Sequence, residues 1–250
     1  NHRVLFRQRW GYKRGKQDAG AFLKYEQDVV EPTYQALKAE LVDKDIFDPI
    51  AIYAYYPCIS HDNKLYIFDK KHLFNTLEES KNVPPLSEAI KVLEFPRQKR
   101  KPFRCIADFF ANDRLDVVAF TLSSAGLKIT DYERGLYNNG EFSKYYQVHG
   151  LGVELAEALA EVLHKQIRLD LDIVPKEGHT LNDVQMKQYV GCRYSPGYAA
   201  CPDLAMNRDI FYLLNPEEFG IELSETFQMH PEQTTCAIVV THKEANYYNI

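Results

Sequence analysis

The longest regular pattern in this sequence is a run of apolar side chains within residues 141–168. The side chains of this run are Leu151, Leu155, Leu159, Val162 and Leu163. A spacing of three or four positions places apolar residues on one face of an α-helix, and an Asn-Asn-Gly turn signal at 138–140 precedes the run. We therefore predict a long amphipathic helix, so the rest of the chain must supply a surface that covers its apolar face.

Shorter patterns surround this helix. Strands are predicted over residues 50–56, 65–68, 103–110, 116–122 and 234–241, with the first two forming a hairpin around an Asp-Asn turn. Helices are predicted over residues 19–42, 183–190 and 207–214, with a kink or break expected where Glu31-Pro32 interrupts the first of them. Because the elements come in blocks without regular β-α-β alternation, the sequence predicts an α+β fold with a largely antiparallel sheet.

Composition and charge exclude several functions. The chain has 250 residues, with 30 Lys and Arg against 35 Asp and Glu and a net charge of −5, which disfavours sequence-independent binding to nucleic acid. No apolar run approaches the roughly 20 residues of a membrane helix. Five cysteines without a Cys-x-x-Cys pair predict reduced thiols rather than a zinc site. We expect a soluble, cytoplasmic protein with one domain over residues 1–250, and the missing initiator methionine suggests a fragment of a larger chain.

Common catalytic motifs are missing. The Gly-Leu-Gly at 150–152 lies inside a helical pattern with no strand before it, so it is not a dinucleotide-binding loop. The sequence contains no phosphate-binding loop, no His-Glu-x-x-His and no Gly-x-Ser-x-Gly. No two of the eight histidines stand at metal-ligand spacing, so no metal site is predicted.

The segment from Arg193 to Pro202 is the strongest candidate for binding. Two prolines and a glycine exclude regular helix, so its main-chain groups must find other partners, a bound ligand being one possibility. The planar guanidinium of Arg193 suits a carboxylate ligand. The alternative is a structural loop in which Arg193 forms an internal salt bridge.

Two further clusters have both a functional and a structural interpretation. Tyr247 and Tyr248 follow the last predicted strand and could stack on a ligand ring or simply cap a core. The glutamates at 154, 157 and 161 on the long helix could face a cation or form a solvated face. Basic runs at 7–16 and 97–101 are solvated faces or docking patches for an acidic partner.

Taken in order, these segments identify a family. The chain resembles the C-terminal activation domain of cobalamin-dependent methionine synthase over about 240 residues. The matching stretches lie at residues 5–12, 55–58, 106–110, 118–120, 155–161, 193–202 and 225–231. A single Pro-Gly-Tyr motif would be weak evidence for this family, but the ordered series of matching stretches is specific to it.

The resemblance implies a single C-shaped α+β domain with a twisted antiparallel sheet and flanking helices. It also implies an S-adenosylmethionine site. The residues assigned to it are Arg193, Gly197, Tyr198, Ala200, Tyr247, Tyr248, Glu157 and Asn1. In this assignment Arg193 binds the methionyl carboxylate, and Glu157 lies near the positive end of the ligand. Asn1 stands where the family has an Asp.

The main chain of Tyr198 and of Ala200 is assigned to hold the ligand, with Tyr247 and Tyr248 closing the site. No side chain of this chain is assigned a catalytic role, because the chemistry belongs to the cofactors.

The resemblance further implies a role in methionine biosynthesis by a methyltransferase, 5-methyltetrahydrofolate–homocysteine methyltransferase. S-adenosylmethionine remethylates inactive cob(II)alamin, cobalamin is held mainly by a separate module, and flavodoxin or a similar reductase supplies an electron. The chain has no Asp-x-His-x-x-Gly cobalt-ligating motif and no cysteine pair for zinc, so we expect it to depend on other modules. The alternatives are a free-standing corrinoid-reactivating protein and a non-catalytic S-adenosylmethionine-binding docking module.

Overall fold

The computed structural model describes residues 1–173 and 189–250. The chain divides into two compact units. Unit 1 comprises Asn1–Ile50, Ser123–Leu159 and His230–Thr234, and unit 2 comprises Ala51–Leu122, Ala160–Met229 and Thr235–Ile250. Each unit therefore takes segments from distant parts of the sequence.

Helices account for most of unit 1, and unit 2 contains helices beside its sheet. Among the described residues they are, in chain order, α1 His2–Val4, α2 Ala19–Tyr25, α3 Glu31–Asp43, α4 Leu77–Ser80, α5 Leu127–Asn138, α6 Phe142–Asp170 and α7 Asn207–Leu214. Two π-helical stretches, Leu5–Arg9 and Glu26–Val30, continue α1 and connect α2 to α3. Single 3-10 turns occur at Lys70–His72, Leu86–Glu88, Ile106–Phe109, Leu204–Met206 and Pro216–Phe219.

The strands form one main sheet. They are β1 Ile50–His61, β2 Lys64–Ile67, β3 Lys91–Glu94, β4 Asp116–Ser124, β5 Cys192–Tyr194, β6 Glu222–Leu223, β7 Met229–His230 and β8 Thr234–Val240. Within the described residues the main sheet has six strands in the order β3-β2-β1-β4-β8-β5, and β6 and β7 form a separate pair. Antiparallel pairing joins β1 to β2, β2 to β3 and β5 to β8, which confirms the predicted α+β class.

The core of unit 2 fixes the second half of α6. Ile167 is fully buried and packs against Ala119 on β4 and Val239 on β8. Leu163, one turn earlier, is also buried. Because side chains three and four positions apart share a helix face, this packing decides the direction in which the polar residues of this half of the helix project.

The core of unit 1 is built around a helix–helix contact. Trp10 is buried and donates a hydrogen bond from Nε1 to the carbonyl oxygen of Gln147 over 2.9 Å. Leu5, Phe6, Leu41 and Ile129 are further members of its apolar cluster. Aromatic and aliphatic burial of this kind is the main source of stability for a helical unit.

Most of the predicted elements are confirmed. The long helix is present as α6, the helix over residues 207–214 is α7, and the strands over 50–56, 65–68, 116–122 and 234–241 are β1, β2, β4 and β8. The helix predicted over residues 19–42 is present as α2, the π-helical stretch Glu26–Val30 and α3. The interruption expected near Pro32 takes the form of that π-helical stretch, which ends just before Pro32 in the first turn of α3. The helix predicted over residues 183–190 lies outside the described residues apart from its last two positions.

The strand predicted over residues 103–110 is wrong. Phe103 has a positive φ of 60°, and Ile106–Phe109 form a 3-10 turn. The carboxylate of Asp108 accepts a hydrogen bond from the amide of Cys105 over 3.1 Å and pairs with Arg97 over 2.6 Å. These polar contacts take the place of the β-sheet hydrogen bonds that the apolar pattern predicted for this segment.

None of the helices in residues 1–173 and 189–250 has both the length and the apolar character that a bilayer-spanning helix requires.

Candidate functional site

The candidate binding segment begins on a short edge strand of unit 2. β5 pairs with β8 in the register Arg193 opposite Val239, which fixes the position of the arginine main chain. The chain then turns tightly, since the amide of Gly197 donates to the carbonyl of Cys201 over 2.8 Å. Gly197 has a φ of +88°, which only glycine adopts without strain. The segment beyond Tyr194 is therefore irregular, as predicted. The short strand β5 that precedes it was not predicted.

The main-chain hydrogen bonds of this turn differ between Tyr198 and Ala200. Ala200 is buried, yet its amide and carbonyl have no hydrogen-bond partner among the described residues. Tyr198 is 71% exposed; its amide makes a long contact of 3.4 Å to the carbonyl of Ser195, and its carbonyl accepts from the amide of Cys201 over 2.9 Å. Since buried main-chain groups are nearly always paired, the Ala200 peptide is the part of the turn best suited to receive a ligand.

Arg193 is held from one side by two residues of α6. Its Nη2 donates to Oε1 of Glu161 over 2.7 Å, and its Nη1 lies 3.3 Å from Nδ1 of His164. The internal salt bridge considered as the structural alternative is thus present. It engages only one end of the guanidinium, because Nε has no partner within residues 1–173 and 189–250.

The protonation states around Arg193 follow from burial and charge. Burial opposes the charge of the guanidinium, but the hydrogen bond and charge of Glu161 outweigh it and raise the pKa of Arg193. Burial likewise opposes ionisation of Glu161, and Arg193 reverses this and lowers its pKa. Burial, together with the charges of Arg193 and Arg168, lowers the pKa of His164 to about 2. His164 is therefore neutral, and because an arginine can only donate, its Nδ1 accepts and its proton is on Nε2.

Arg168 lies one turn beyond His164 and is fully buried. Its guanidinium carbon stands 4.1 Å from the ring centroid of Tyr189, a cation–π contact. No hydrogen-bond partner for its three guanidinium nitrogens occurs in the described part of the chain. The hydroxyl of Tyr189 donates to the carboxylate of Glu161 at 3.2–3.3 Å.

We call these five side chains the guanidinium cluster. Its members are Glu161, His164, Arg168, Tyr189 and Arg193. With His164 and Tyr189 neutral, it holds two positive charges and one negative charge. A net charge of +1 in a largely buried place favours an incoming carboxylate.

The predicted tyrosines lie against the residue that follows Arg193. The Tyr194 ring is 6.2 Å from that of Tyr247 and 6.1 Å from that of Tyr248, with interplanar angles of 68° and 60°. Tyr194 is also stacked on Phe109, with centroids 6.4 Å apart. Tyr247 is largely exposed, whereas Tyr248 is buried and its pKa is raised by burial. Six of the eight predicted site residues thus belong to unit 2.

The other two predicted residues belong to unit 1. Glu157 is half-buried on α6, one turn before Glu161. Asn1 caps α1, where its side chain accepts a hydrogen bond from the amide of Val4 over 3.4 Å. Their contact with a ligand stays a prediction.

Most of the guanidinium cluster was not predicted from the sequence. Glu161 was considered only as one of three glutamates on the long helix, and His164 and Arg168 were assigned no role. The sequence pattern that could have indicated them is the spacing of Glu161, His164 and Arg168, which lie three and four positions apart on a helix whose neighbouring residues are apolar. Polar residues at those positions in a buried helix face need partners.

No group of three or more His, Cys, Asp or Glu side chains in residues 1–173 and 189–250 is arranged to hold a metal ion.

Comparisons with known proteins agree on one family. The sequence profile described as "Vitamin B12 dependent methionine synthase, activation domain" matches residues 7–250. The chain is 35% identical to the methionine synthase of Mycobacterium tuberculosis over 268 residues and 34% identical to that of Mycobacterium leprae over 267. Each alignment covers 100% of this chain and 21% of the relative, so the chain spans about one fifth of their length.

A solved structure has the same fold. It is described as the MetH reactivation domain bound to AdoHcy, and it matches with a TM-score of 0.75. The match covers 90% of this chain and 71% of that one at 23% sequence identity.

Proposed function

The chain belongs to the family of vitamin B12-dependent methionine synthase activation domains, and from this premise we propose that it binds S-adenosylmethionine and presents it for remethylation of inactive cobalamin. The observation that carries the proposal is the place of Arg193. One end of its guanidinium is held by Glu161 and His164, while its Nε lacks a partner in the described residues, beside a turn with an unpaired Ala200 peptide.

The residues of this segment fit the ligand on chemical grounds. A carboxylate accepts two parallel hydrogen bonds from a guanidinium edge, and Arg193 would offer its Nε edge to the methionyl carboxylate. The Ala200 and Tyr198 main chain would pair with polar edges of the ligand. The net charge of the guanidinium cluster would strengthen the attraction of the carboxylate.

The aromatic residues and Glu157 would serve the other end of the ligand. Tyr247 and Tyr248 would cover it and exclude water, since each presents a ring and a hydroxyl. The carboxylate of Glu157 would lie near the fixed positive charge of the sulfonium. S-adenosylmethionine, when bound, supplies the activated methyl group; the task of this chain is to bind, orient and shield it.

The rest of the reaction belongs to other components. We propose that residues 1–250 form one activation domain of a cytoplasmic methionine synthase, a methyltransferase of methionine biosynthesis. Its partners would be the cobalamin-binding module and a reductase such as flavodoxin. The mycobacterial synthases, of which the chain covers 21%, support this view more than they support a free-standing reactivating protein.

Calorimetric titration of the 250-residue chain with S-adenosylmethionine tests the proposal. We expect saturable binding by wild type and by Arg134→Met, which alters an exposed arginine on α5. We expect much weaker binding by Arg193→Met. Absence of binding by wild type at millimolar ligand would refute the proposal.

A second assay separates methyl donation from mere docking. The chain is mixed with the reduced cobalamin module and S-adenosylmethionine carrying a labelled methyl group. Transfer of label to cobalamin supports the activation role. Binding without transfer would favour a docking module.

A further inference from the structure

Building on the proposed function, we propose that Glu161 is a positioning residue for Arg193: it holds the guanidinium so that its Nε edge faces the ligand carboxylate. Glu161 does not itself touch the ligand in this role. It acts through the arginine.

The contacts determine the direction of the guanidinium. Glu161 binds Nη2 over 2.7 Å and His164 faces Nη1 at 3.3 Å, so two different nitrogens are held. A planar fork held at two nitrogens has a fixed plane and a fixed direction. The Arg193 side chain is only 11% exposed, and that of Glu161 is 27% exposed. The third nitrogen, Nε, is left without a partner within the described ranges.

The two sides of this contact come from regular secondary structure. Arg193 is fixed by the pairing of β5 with β8. Glu161 and His164 are three positions apart on α6, and Ile167 of the same helix packs on Val239 of β8. Binding groups held by packed helices and strands are positioned more accurately than groups on loops.

The net charge of the guanidinium cluster allows Glu161 to hold Arg193 without cancelling the attraction between the cluster and a ligand carboxylate. Arg168 and Arg193 carry two positive charges against one on Glu161, and His164 is neutral. If Glu161 were instead a competitor for the guanidinium, its removal would free Arg193 and strengthen ligand binding. Positioning and competition thus predict changes of opposite sign in the same variant.

The experiment compares two ligands on Glu161→Gln. S-adenosylmethionine has the carboxylate, and decarboxylated S-adenosylmethionine has the same sulfonium and adenosine without it. We expect the affinity of Glu161→Gln for S-adenosylmethionine to fall about tenfold, equivalent to ~1.4 kcal/mol. Its affinity for the decarboxylated ligand should stay within about twofold of wild type.

Lys165→Gln is the matched control. It also changes the charge by one unit on α6, at an exposed position, and we expect it to keep both affinities. Circular dichroism checks that each variant folds. If Glu161→Gln does not fold, Glu161→Asp retains the charge but shortens the side chain by one methylene, and the same loss of carboxylate preference is expected.

The outcomes distinguish the two proposals. A Glu161 variant that binds S-adenosylmethionine as tightly as wild type or more tightly, with its preference over the decarboxylated ligand intact, overturns the positioning role and leaves the proposed function standing. Equal loss of affinity for both ligands also overturns it, because the effect is then not exerted through the carboxylate. Absence of binding by wild type overturns the proposed function itself.

Discussion

The hydroxyl of Tyr194 donates a hydrogen bond to the main-chain carbonyl of Asn246 over 2.7 Å. This bond ties the end of β5 to the segment that carries Tyr247 and Tyr248. The residue that follows Arg193 therefore also fixes the C-terminal tyrosines. A single side chain connects two groups of predicted site residues that are about 50 positions apart in sequence.

Tyr194→Phe should loosen the C-terminal segment while leaving β5 in place. The ring contacts with Tyr247 and Tyr248 remain, but the carbonyl of Asn246 loses its donor. We expect a loss of about 1 kcal/mol in the free energy of unfolding, as for one hydrogen bond. Urea denaturation measures this loss, and hydrogen exchange should show faster exchange confined to residues near 246–248. Unchanged exchange there would contradict the structural link.

Arg193→Ala should weaken binding of S-adenosylmethionine by about 1.5–3 kcal/mol, the contribution of a hydrogen bond to a charged group. The physical reason is loss of the one guanidinium that the candidate segment offers to a carboxylate. Calorimetric titration gives the dissociation constant directly. Arg134→Ala, on an exposed helix face, is the matched control and should bind like wild type. An unchanged affinity for Arg193→Ala would remove this residue from its assigned role.

His164 should make the protein less stable as the pH falls. Its pKa in the folded protein is lowered to about 2, against an ordinary value near 6.5 in the unfolded chain. Between these values the unfolded state binds the additional proton, so the free energy of unfolding rises with pH. Removing this group should therefore flatten the pH dependence below pH 6.5.

His164→Gln tests that dependence between pH 6.5 and 4.5, a window in which most carboxyl groups stay ionised. Wild type should lose about 2 kcal/mol more than the variant over this interval. Urea denaturation at several pH values measures the difference. Parallel curves for the two proteins would show that His164 is not held neutral in the folded state.

Two helix glycines of unit 1 should respond to alanine with opposite signs. A Cβ on Gly150 of α6 would lie 2.9 Å from Cβ of Arg9 and 3.0 Å from Cδ1 of Trp10. Gly150→Ala should therefore destabilise the protein by about 1–3 kcal/mol through overpacking. Gly135 of α5 is exposed and a Cβ there meets nothing within 4 Å. Gly135→Ala should stabilise the protein by about 0.5–1 kcal/mol, because glycine is a poor helix former.

Thermal denaturation of these two variants measures both effects. Destabilisation by Gly135→Ala, or stabilisation by Gly150→Ala, would contradict the packing of the respective helix.

The features of the site that could be predicted from the sequence are those that depend only on neighbouring residues. The prolines and glycine between Arg193 and Pro202 exclude helix wherever the segment lies, so its irregular course was predictable. The partner of Arg193 was not predictable, because Glu161 is 32 positions away and two other glutamates precede it on the same helix. Likewise β5 has only three residues, and its strand conformation depends on the neighbouring β8.

The sequence by itself determined α6, α7, the hairpin of β1 and β2, and membership of the activation-domain family. Each rests on a periodicity or an ordered motif series that is complete within the chain and needs no knowledge of distant contacts. Only the tertiary structure decided that Arg193 is held by Glu161 and His164, and that residues 106–109 form a turn. The packing of α6 on β4 and β8 determines which polar side chains of the helix come close to β5. A buried charge such as that of Arg193 then pairs with an oppositely charged group that is near it in space, which need not be near it in sequence.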